Sequence, residues 1–588
     1  MLSPETGVTL LESLTPPAGY RLDVAVGTSY TLDLAALLAV PTAFALSATT
    51  EEAGTAQEQT PLALLEALRR HARSITLFAD AARIAVPRNA VSGVLGFLEG
   101  SVVPVSAPRG GAFHPKLWLI RFTTDDGVRT HRVLVASRNL TFDRSWDTMV
   151  CLEQSDEGQP LPQVAELLHD LMDLPSTARL TPERAENLRG LAESVAAARF
   201  GAPSGFDTLR LHPIGFRDTD AGAWPFPESS NRALVMAPFL SPGYVSRVEK
   251  STRELSIVSR ADELDRAFDG RDETRRPPAF VINPNLVDDS GEQVLTDLHA
   301  KVFVHDVPGS RTHVFAGSAN ATGAAFGQNT EVLLEMVGPT YKVGVRTWLD
   351  EKAPTLRQML LPHTWSEPVP AQTPAEEALR HLQDAIAKVR VTATVDPESD
   401  GWYSVTYAAT EPFPPLGAAT LEVRPVTVPE WSTISGTDLT LTSRTGLTGL
   451  TSFLAVRIGL DGEVSEFVLA CDLVNAPDDR EDRLLAHLIS NPARLVRYLL
   501  MLLADQAHDK FDGIAQELER ASRAQQRTDL ETLPLLEMML RAAVRYPERL
   551  QAVGRLMDVV RNHPELSDES LVDLWDAISV LVPAERAR

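Results

Sequence analysis

Two stretches far apart in the chain carry the same polar residues in the same order. The first is His114-Pro115-Lys116 within FHPKLWLIRF, followed by Ser137-Arg138-Asn139 and then Asp147. The second is His299-Ala300-Lys301 within LHAKVFVHD, followed by Gly317-Ser318-Ala319-Asn320 and then Glu331. Each His-x-Lys lies in an apolar run of strand-like alternation, and a turn and a second such run follow, as in a hairpin. Residues i and i+2 of a strand project from one face, so each His is expected to share a surface with its Lys, with Ser and Asn brought alongside by the next strand. Lys occurs only at 116, 250, 301, 342, 352, 388 and 510. Two of these seven following a His by two places is a coincidence of about one in a hundred, before the Ser-x-Asn matches are counted.

The surrounding elements recur as well. Arg21 to Tyr30 reads as a strand continuing into a helix-like run over Thr31 to Val40, and Ser74 to Phe78 as another strand. After helices around Gln163 to Met172 and Pro182 to Arg199, the order begins again with strands at Ala233 to Leu240 and Leu255 to Ser259, then the second set and its partner strand His313 to Ala316. The expected organisation is an α/β fold with two similar halves, residues 1–200 and 201–365. Beyond a Pro-, Ala- and Glu-rich linker at about Leu361 to Ala375, short β-rich runs predict a small β domain over 378–478. From Arg480 the period turns helical, predicting a helical bundle over 479–588. At 588 residues, three or four domains of about 150 residues each fit the length.

Composition narrows the function. The net charge of -24 opposes general coating by nucleic acid or by an anionic membrane, so any phosphate contact has to be local. Cys151 and Cys471 are the only cysteines, which excludes a disulfide framework or a cysteine zinc site; both lie in apolar runs and are expected to be buried thiols. Neither a basic-then-apolar leader nor a run of about eighteen apolar residues is present, so a cytoplasmic location without a membrane partner is expected. There is no Walker loop, no strand-linked Gly-x-Gly-x-x-Gly and no His-Glu-x-x-His.

Two imidazoles, two ammoniums, two hydroxyls and two carboxamides suit phosphodiester cleavage without a cofactor or metal. One imidazole attacks phosphorus, and the other protonates the leaving oxygen and then activates water. The Lys and Asn side chains meet the charge on the equatorial oxygens, and Asp147 and Glu331 can hold the imidazole tautomers by accepting from the far ring nitrogen.

HAKVFVHD followed by GSAN, with Asp306 five residues after the Lys, resembles the HKD motif of the phospholipase D superfamily. HPKLWLIR has Arg121 where that motif has Asp. The pair of His-x-Lys plus Asn sets, and SRNLT, resemble the tyrosyl-DNA phosphodiesterase branch, with a wider likeness to bacterial phospholipase D-like proteins of anti-phage and restriction loci. The likeness covers roughly Arg21 to Val345 and leaves the C-terminal third aside. It implies a duplicated phospholipase D-type α/β/α sandwich, with His114 as nucleophile, His299 as general acid, and Lys116, Lys301, Asn139 and Asn320 on the phosphate. It also implies supporting roles for Ser137, Ser318, Asp147, Glu331 and Asp306, the last a structural one. The order of the two His roles follows family custom, and the reverse assignment stays open.

Arg109, Arg121, Arg129, Arg132, Arg138 and Arg144 crowd around the first set and either guide a polynucleotide or pair with Asp125, Asp126, Asp143 and Asp147. Arg138 and Arg109 are the candidate substrate contacts, and Trp146 and Phe142 are stacking or core residues. The leading expectation is a nuclease or DNA-end phosphodiesterase in bacterial antiviral defence, with DNA as partner. A binding subunit docking a helicase or ATPase through the C-terminal helices comes second, and a phospholipase third.

Overall fold

The computed structural model describes residues 9–45, 69–87, 93–141, 145–178, 180–217, 222, 224–284, 297–352, 355–370 and 373–489, with 553, 554, 556, 557, 561 and 575. The architecture is mixed α/β, built on two large sheets. In chain order the strands before residue 201 are β1 (Arg21–Ser29), β2 (Leu32–Asp33), β3 (Ile75–Asp80), β4 (Ile84–Ala85), β5 (Val102–Val105), β6 (Leu117–Thr123), β7 (Arg129–Ala136), β8 (Ser145–Trp146), β9 (Met149–Pro160) and β10 (Arg199–Phe200). Those that follow are β11 (Thr208–Ile214), β12 (Ser230–Met236), β13 (Thr252–Val258), β14 (Ala279–Ile282), β15 (Asp297–Leu298), β16 (Val302–Val307), β17 (Arg311–Gly317), β18 (Glu331–Pro339) and β19 (Leu360–Pro362).

The first sheet has the order β10-β9-β7-β6-β1-β3-β5 and the second β11-β18-β17-β16-β12-β13-β14-β19. Their central six strands correspond: β9-β7-β6-β1-β3-β5 and β18-β17-β16-β12-β13-β14 run in the same order and the same relative directions, antiparallel on one side of β1 or β12 and parallel on the other.

Period-two alternation explains how these strands sit. In β6, Leu117 and Leu119 face the core shared by the two sheets, whereas Trp118, Ile120 and Phe122 face outward into a second apolar layer. In β16 and β17, Val302, Val304, Val314 and Ala316 face the shared core, and Phe303 and Phe315 the outer layer. Strands buried on both faces carry apolar side chains at consecutive positions. The helices Gln163–Met172 and Pro182–Ala196 also line the shared core, through Val164, Leu167, Leu188 and Leu191. Thr181 caps the second of them by accepting from the Arg184 amide, with Pro182 at the first helical position.

The sequence places His114-x-Lys116 within a strand, and here the structure differs. β6 begins at Leu117 and β16 at Val302, so both His-x-Lys sets lie in the extended segments that lead into the strands. They stop short of the ladder because their backbone groups are spent across the molecule, as described below. Cys151, expected to be buried, is exposed in β9, where the next residue, Leu152, takes the position facing the shared core; Cys471 is buried.

Residues 361–370, read as linker, are tied down: His363 Nε2 and Ser366 Oγ both reach the Asp265 carboxylate at 2.8 Å. Between Val391 and Val474 the β-rich runs form two four-stranded sheets around a shared apolar core. They are preceded by the helix Pro374–Ile386, which Thr373 and Glu376 close with a capping box. Phe453, Ala455, Val468 and Ala470 pack into the outer apolar layer of the first sheet. The helix Arg480–Ile489 begins the expected helical region, most of which lies outside the described residues, as does the whole of the stripe Leu533 to Val544. Among the described residues no helix is long and apolar enough to cross a membrane.

Candidate active site

The two polar sets meet through a reciprocal exchange of backbone and carboxylate partners. The His114 amide donates to the Thr330 carbonyl at 2.9 Å, and the imidazole Nδ1 lies 2.8 Å from Glu331 Oε2 of the next residue. The His299 amide donates to the Trp146 carbonyl at 2.9 Å, and its Nδ1 lies 2.8 Å from Asp147 Oδ1 of the next residue. Each imidazole is therefore held by an acid that enters from the other half, Glu331 from the start of β18 and Asp147 from the segment between β8 and β9.

Each carboxylate is fixed from its own side. Ser137 Oγ donates to Asp147 Oδ1 at 2.9 Å and takes the Thr148 amide at 2.8 Å; Ser318 Oγ donates to Glu331 Oε2 at 2.5 Å and takes the Val332 amide at 2.9 Å. Asn329 Nδ2 adds a bond to Glu331 Oε1 at 3.1 Å. Close backbone approach makes this crossing feasible: a Cβ on Gly111 would stand 2.5 Å from the Gln328 carbonyl carbon, and one on Gly215 (φ +75°) 2.1 Å from the Asn329 oxygen.

Both Lys side chains are wholly buried and each turns back on its own set, Lys116 Nζ donating to the His114 carbonyl at 2.8 Å and Lys301 Nζ to the His299 carbonyl at 2.6 Å. Burial, and then the charge of Lys301, hold the Lys116 ammonium well below the usual Lys range. Burial likewise lowers His114 to about 4, against the opposing pull of Glu331, and lowers His299 in the same direction. Glu331 is pushed up by burial, but His114, Lys116 and the Ser318 hydroxyl outweigh this and leave it below the ordinary carboxylate range. The direction that follows for the pair is a neutral His114 donating Nδ1–H to an ionised Glu331, with the Nε2 lone pair unspent.

The carboxamide oxygens of Asn139 and Asn320 are buried with no hydrogen-bond partner among the described residues. The two buried ammoniums of this polar pocket repel one another and would be offset by an anion, whereas the two carboxamide oxygens are acceptors that call for a donor.

The remaining predicted residues fall outside this pocket. Asp306 Oδ1 accepts from Thr312 Oγ1 at 2.8 Å and from the Val345 amide at 3.1 Å, so it anchors the start of the helix Val345–Trp348. Arg121, at the corresponding place, binds Asp23 at 2.6 Å and the Gly190 carbonyl at 2.6 Å within the helix Pro182–Ala196. The charges are opposite because the backbone groups they meet are opposite, amide in one half and carbonyl in the other. Arg132 is spent on Glu153 and the Ser13 and Thr15 carbonyls, and Arg129 approaches Asp23. Arg109 donates to the Asn329 carbonyl at 3.3 Å, and Arg138 lies at the rim, 3.8 Å from Asp147 Oδ2. Trp146 packs against the core, while Phe142, Asp143 and Arg144 lie outside the described residues.

Sequence reasoning missed Tyr30, whose ring centre lies 4.9 Å from that of His114 and 5.6 Å from Lys116 Nζ, and Asp80, which accepts the Phe113 amide at 2.9 Å. Both stand at the C-terminal ends of strands feeding the pocket, the one signal that marks them.

No protein-family model and no curated protein matches the chain. Among solved structures, yeast tyrosyl-DNA phosphodiesterase matches at 12% identity over 57% of this chain and 86% of its own, with a TM-score of 0.36. Two mutants of that enzyme match at 11% and 12% identity, over 58% and 57% of this chain and 88% and 86% of theirs, each at 0.36. At this identity and score the likeness says nothing of this chain's chemistry, which rests on the side chains above.

Proposed function

We propose that the chain is a phosphodiesterase of the phospholipase D type, with a duplicated two-half catalytic module, acting on nucleic acid through a phosphohistidine intermediate. The observation that carries the reading is the reciprocal pairing of one buried and one half-buried imidazole with carboxylates from opposite halves, around two buried ammoniums. In this reading His114 Nε2 forms the N–P bond as the P–O bond to the leaving group breaks, and His299 gives that oxygen its proton. His299 then takes a proton from water, whose hydroxide attacks phosphorus and releases His114. His114 suits the nucleophile, being neutral and the more buried of the two. His299 suits the acid. Burial, and then Lys301 and Lys116, lower its proton affinity, and a bound phosphate that neutralises the two ammoniums removes their share of that lowering.

Lys116, Lys301, Asn139 and Asn320 are assigned to the phosphate oxygens, with Arg138 at the rim and Arg109 behind the Asn329 loop. DNA is the favoured substrate, and a defence role with a helicase or ATPase partner for the C-terminal helices completes the proposal. The test presents labelled single- and double-stranded DNA and RNA, and a phospholipid, with excess chelator. Cleavage of a nucleic acid should survive chelation and disappear in His114→Ala and His299→Ala. Loss on chelation overturns the metal-independent mechanism. Equal inertness of wild type and both variants on every substrate makes the chain a binding subunit instead.

A further inference from the structure

The sheets beyond residue 390 reach the His114 side of the pocket through the turn Asp80 to Arg83. Ala81 and Ala82 of that turn are buried in the apolar core of those sheets, beside Leu379 and Ile386 of the helix Pro374–Ile386. Gln383 of the same helix donates to the Ala82 carbonyl and is itself held by Ser465 Oγ at 2.8 Å. Asp384 pairs with Arg83 NH2 at 2.7 Å. Arg83 Nε then donates to the Tyr30 hydroxyl at 2.8 Å, and the Tyr30 ring lies against both His114 and Lys116. At the other end of the turn, Asp80 takes the Ala82 amide at 3.0 Å and the amide of Phe113, the residue before His114.

The corresponding region of the second half is wired differently. Arg260 is held by Asp297 of its own half, and Asp265 takes His363 and Ser366. Among the described residues, none beyond 373 enters either set of bonds.

We propose that the module of residues 373–474 is a positioning element for His114, with Asp384, Arg83 and Tyr30 as positioning residues that fix the imidazole and the Lys116 ammonium from behind. The C-terminal third is on this account a working part of one half of the site, and the two halves differ in what holds them. A guanidinium anchored at both ends limits the ring's freedom more than one anchored at the Tyr hydroxyl alone, and small misplacement of a reacting group is costly in rate.

The proposal rests on the catalytic reading of His114, and its test separates the two. In the full chain, Asp384→Asn removes the anchoring charge at a side chain that is 42% exposed, so the fold should tolerate it. The proton resonances of the His114 ring, assigned by their loss in His114→Gln, should move in Asp384→Asn and in Tyr30→Phe, while those of His299 stay. With bis(p-nitrophenyl) phosphate, kcat should fall about tenfold with KM little changed. Asp384→Glu should restore both. An unmoved His114 resonance in both variants overturns the proposal whatever the activity. A moved resonance in a chain that cleaves no phosphodiester upholds the positioning link and removes the catalytic reading instead.

Discussion

The two imidazoles differ in burial and in the acid that holds each, and this predicts different consequences for removing each acid. Asp147→Asn loosens the proposed general acid and leaves the nucleophile intact, so with bis(p-nitrophenyl) phosphate, whose leaving group needs no proton, the phosphorylated enzyme should accumulate on His114 and be trapped by an alkaline denaturing quench. Glu331→Gln removes the acceptor for His114 Nδ1–H, and no phosphohistidine should form. Phosphate found on His299 in the Glu331→Gln protein would reverse the assignment. Both variants should lower kcat by about a hundredfold or more, as loss of an orienting or general-acid group does. Since burial keeps His114 neutral down to about pH 4, an acidic limb of kcat/KM near 6.5 would have to arise from some other group.

At the scale of elements, the antiparallel side of the second sheet carries a polar cluster separate from the pocket. Glu335 on β18 accepts from His212 Nε2 of β11 at 2.7 Å and from His313 Nδ1 of β17 at 2.6 Å. Burial pushes this carboxyl up, but the two imidazoles outweigh burial and bring it down to about 2. A carboxyl depressed on folding contributes stability above its ordinary range that is lost as pH falls from about 4.5 toward 2. Glu335→Gln should therefore cost roughly 1–3 kcal/mol at neutral pH, measured by urea unfolding, and leave kcat unchanged. A fall in kcat without loss of stability would contradict the separation of this cluster from the pocket. Of the three strands that carry it, β17 was legible as the run His313 to Ala316, whereas β11 and β18 were not read from the sequence. The place where strand gives way to site was not legible, because His114 and His299 look like strand residues in sequence and leave the ladder only when their amides are claimed by the opposite half.

For the molecule as a whole, burial lowers the proton affinity of several histidines: His71 to about 3, His114 to about 4 and His305 to about 3, with His131 and His299 lowered in the same direction. The unfolded chain takes up these protons near pH 6.5 while the folded chain does not, so stability should be fullest above that pH and decline as pH falls toward about 4. His305→Leu, at a residue packed beside Phe226 and Phe315, should flatten the dependence of Tm on pH between about 6.5 and 4. An unchanged slope would mean that His305 is not among the groups responsible. The same burial keeps the His114 Nε2 lone pair unprotonated, as the proposed nucleophile requires.

Much of the arrangement was already determined by the sequence. Which residue types recur, their order, the alternation of the strands around them and the tendency of Ser and acid to follow the His-x-Lys sets are local properties, set by side-chain chemistry and the two-residue repeat of a strand. The exchange of partners was decided only in three dimensions. That Glu331 serves His114 and Asp147 serves His299, that Arg121 and Asp306 meet opposite ends of backbone dipoles, and that Asp384 reaches Tyr30 through Arg83 all depend on how two sheets and a C-terminal module are packed against one another. Sequence patterns report which face of an element is apolar, but they carry no record of which distant element will cover it, and these contacts join residues from about forty to three hundred positions apart.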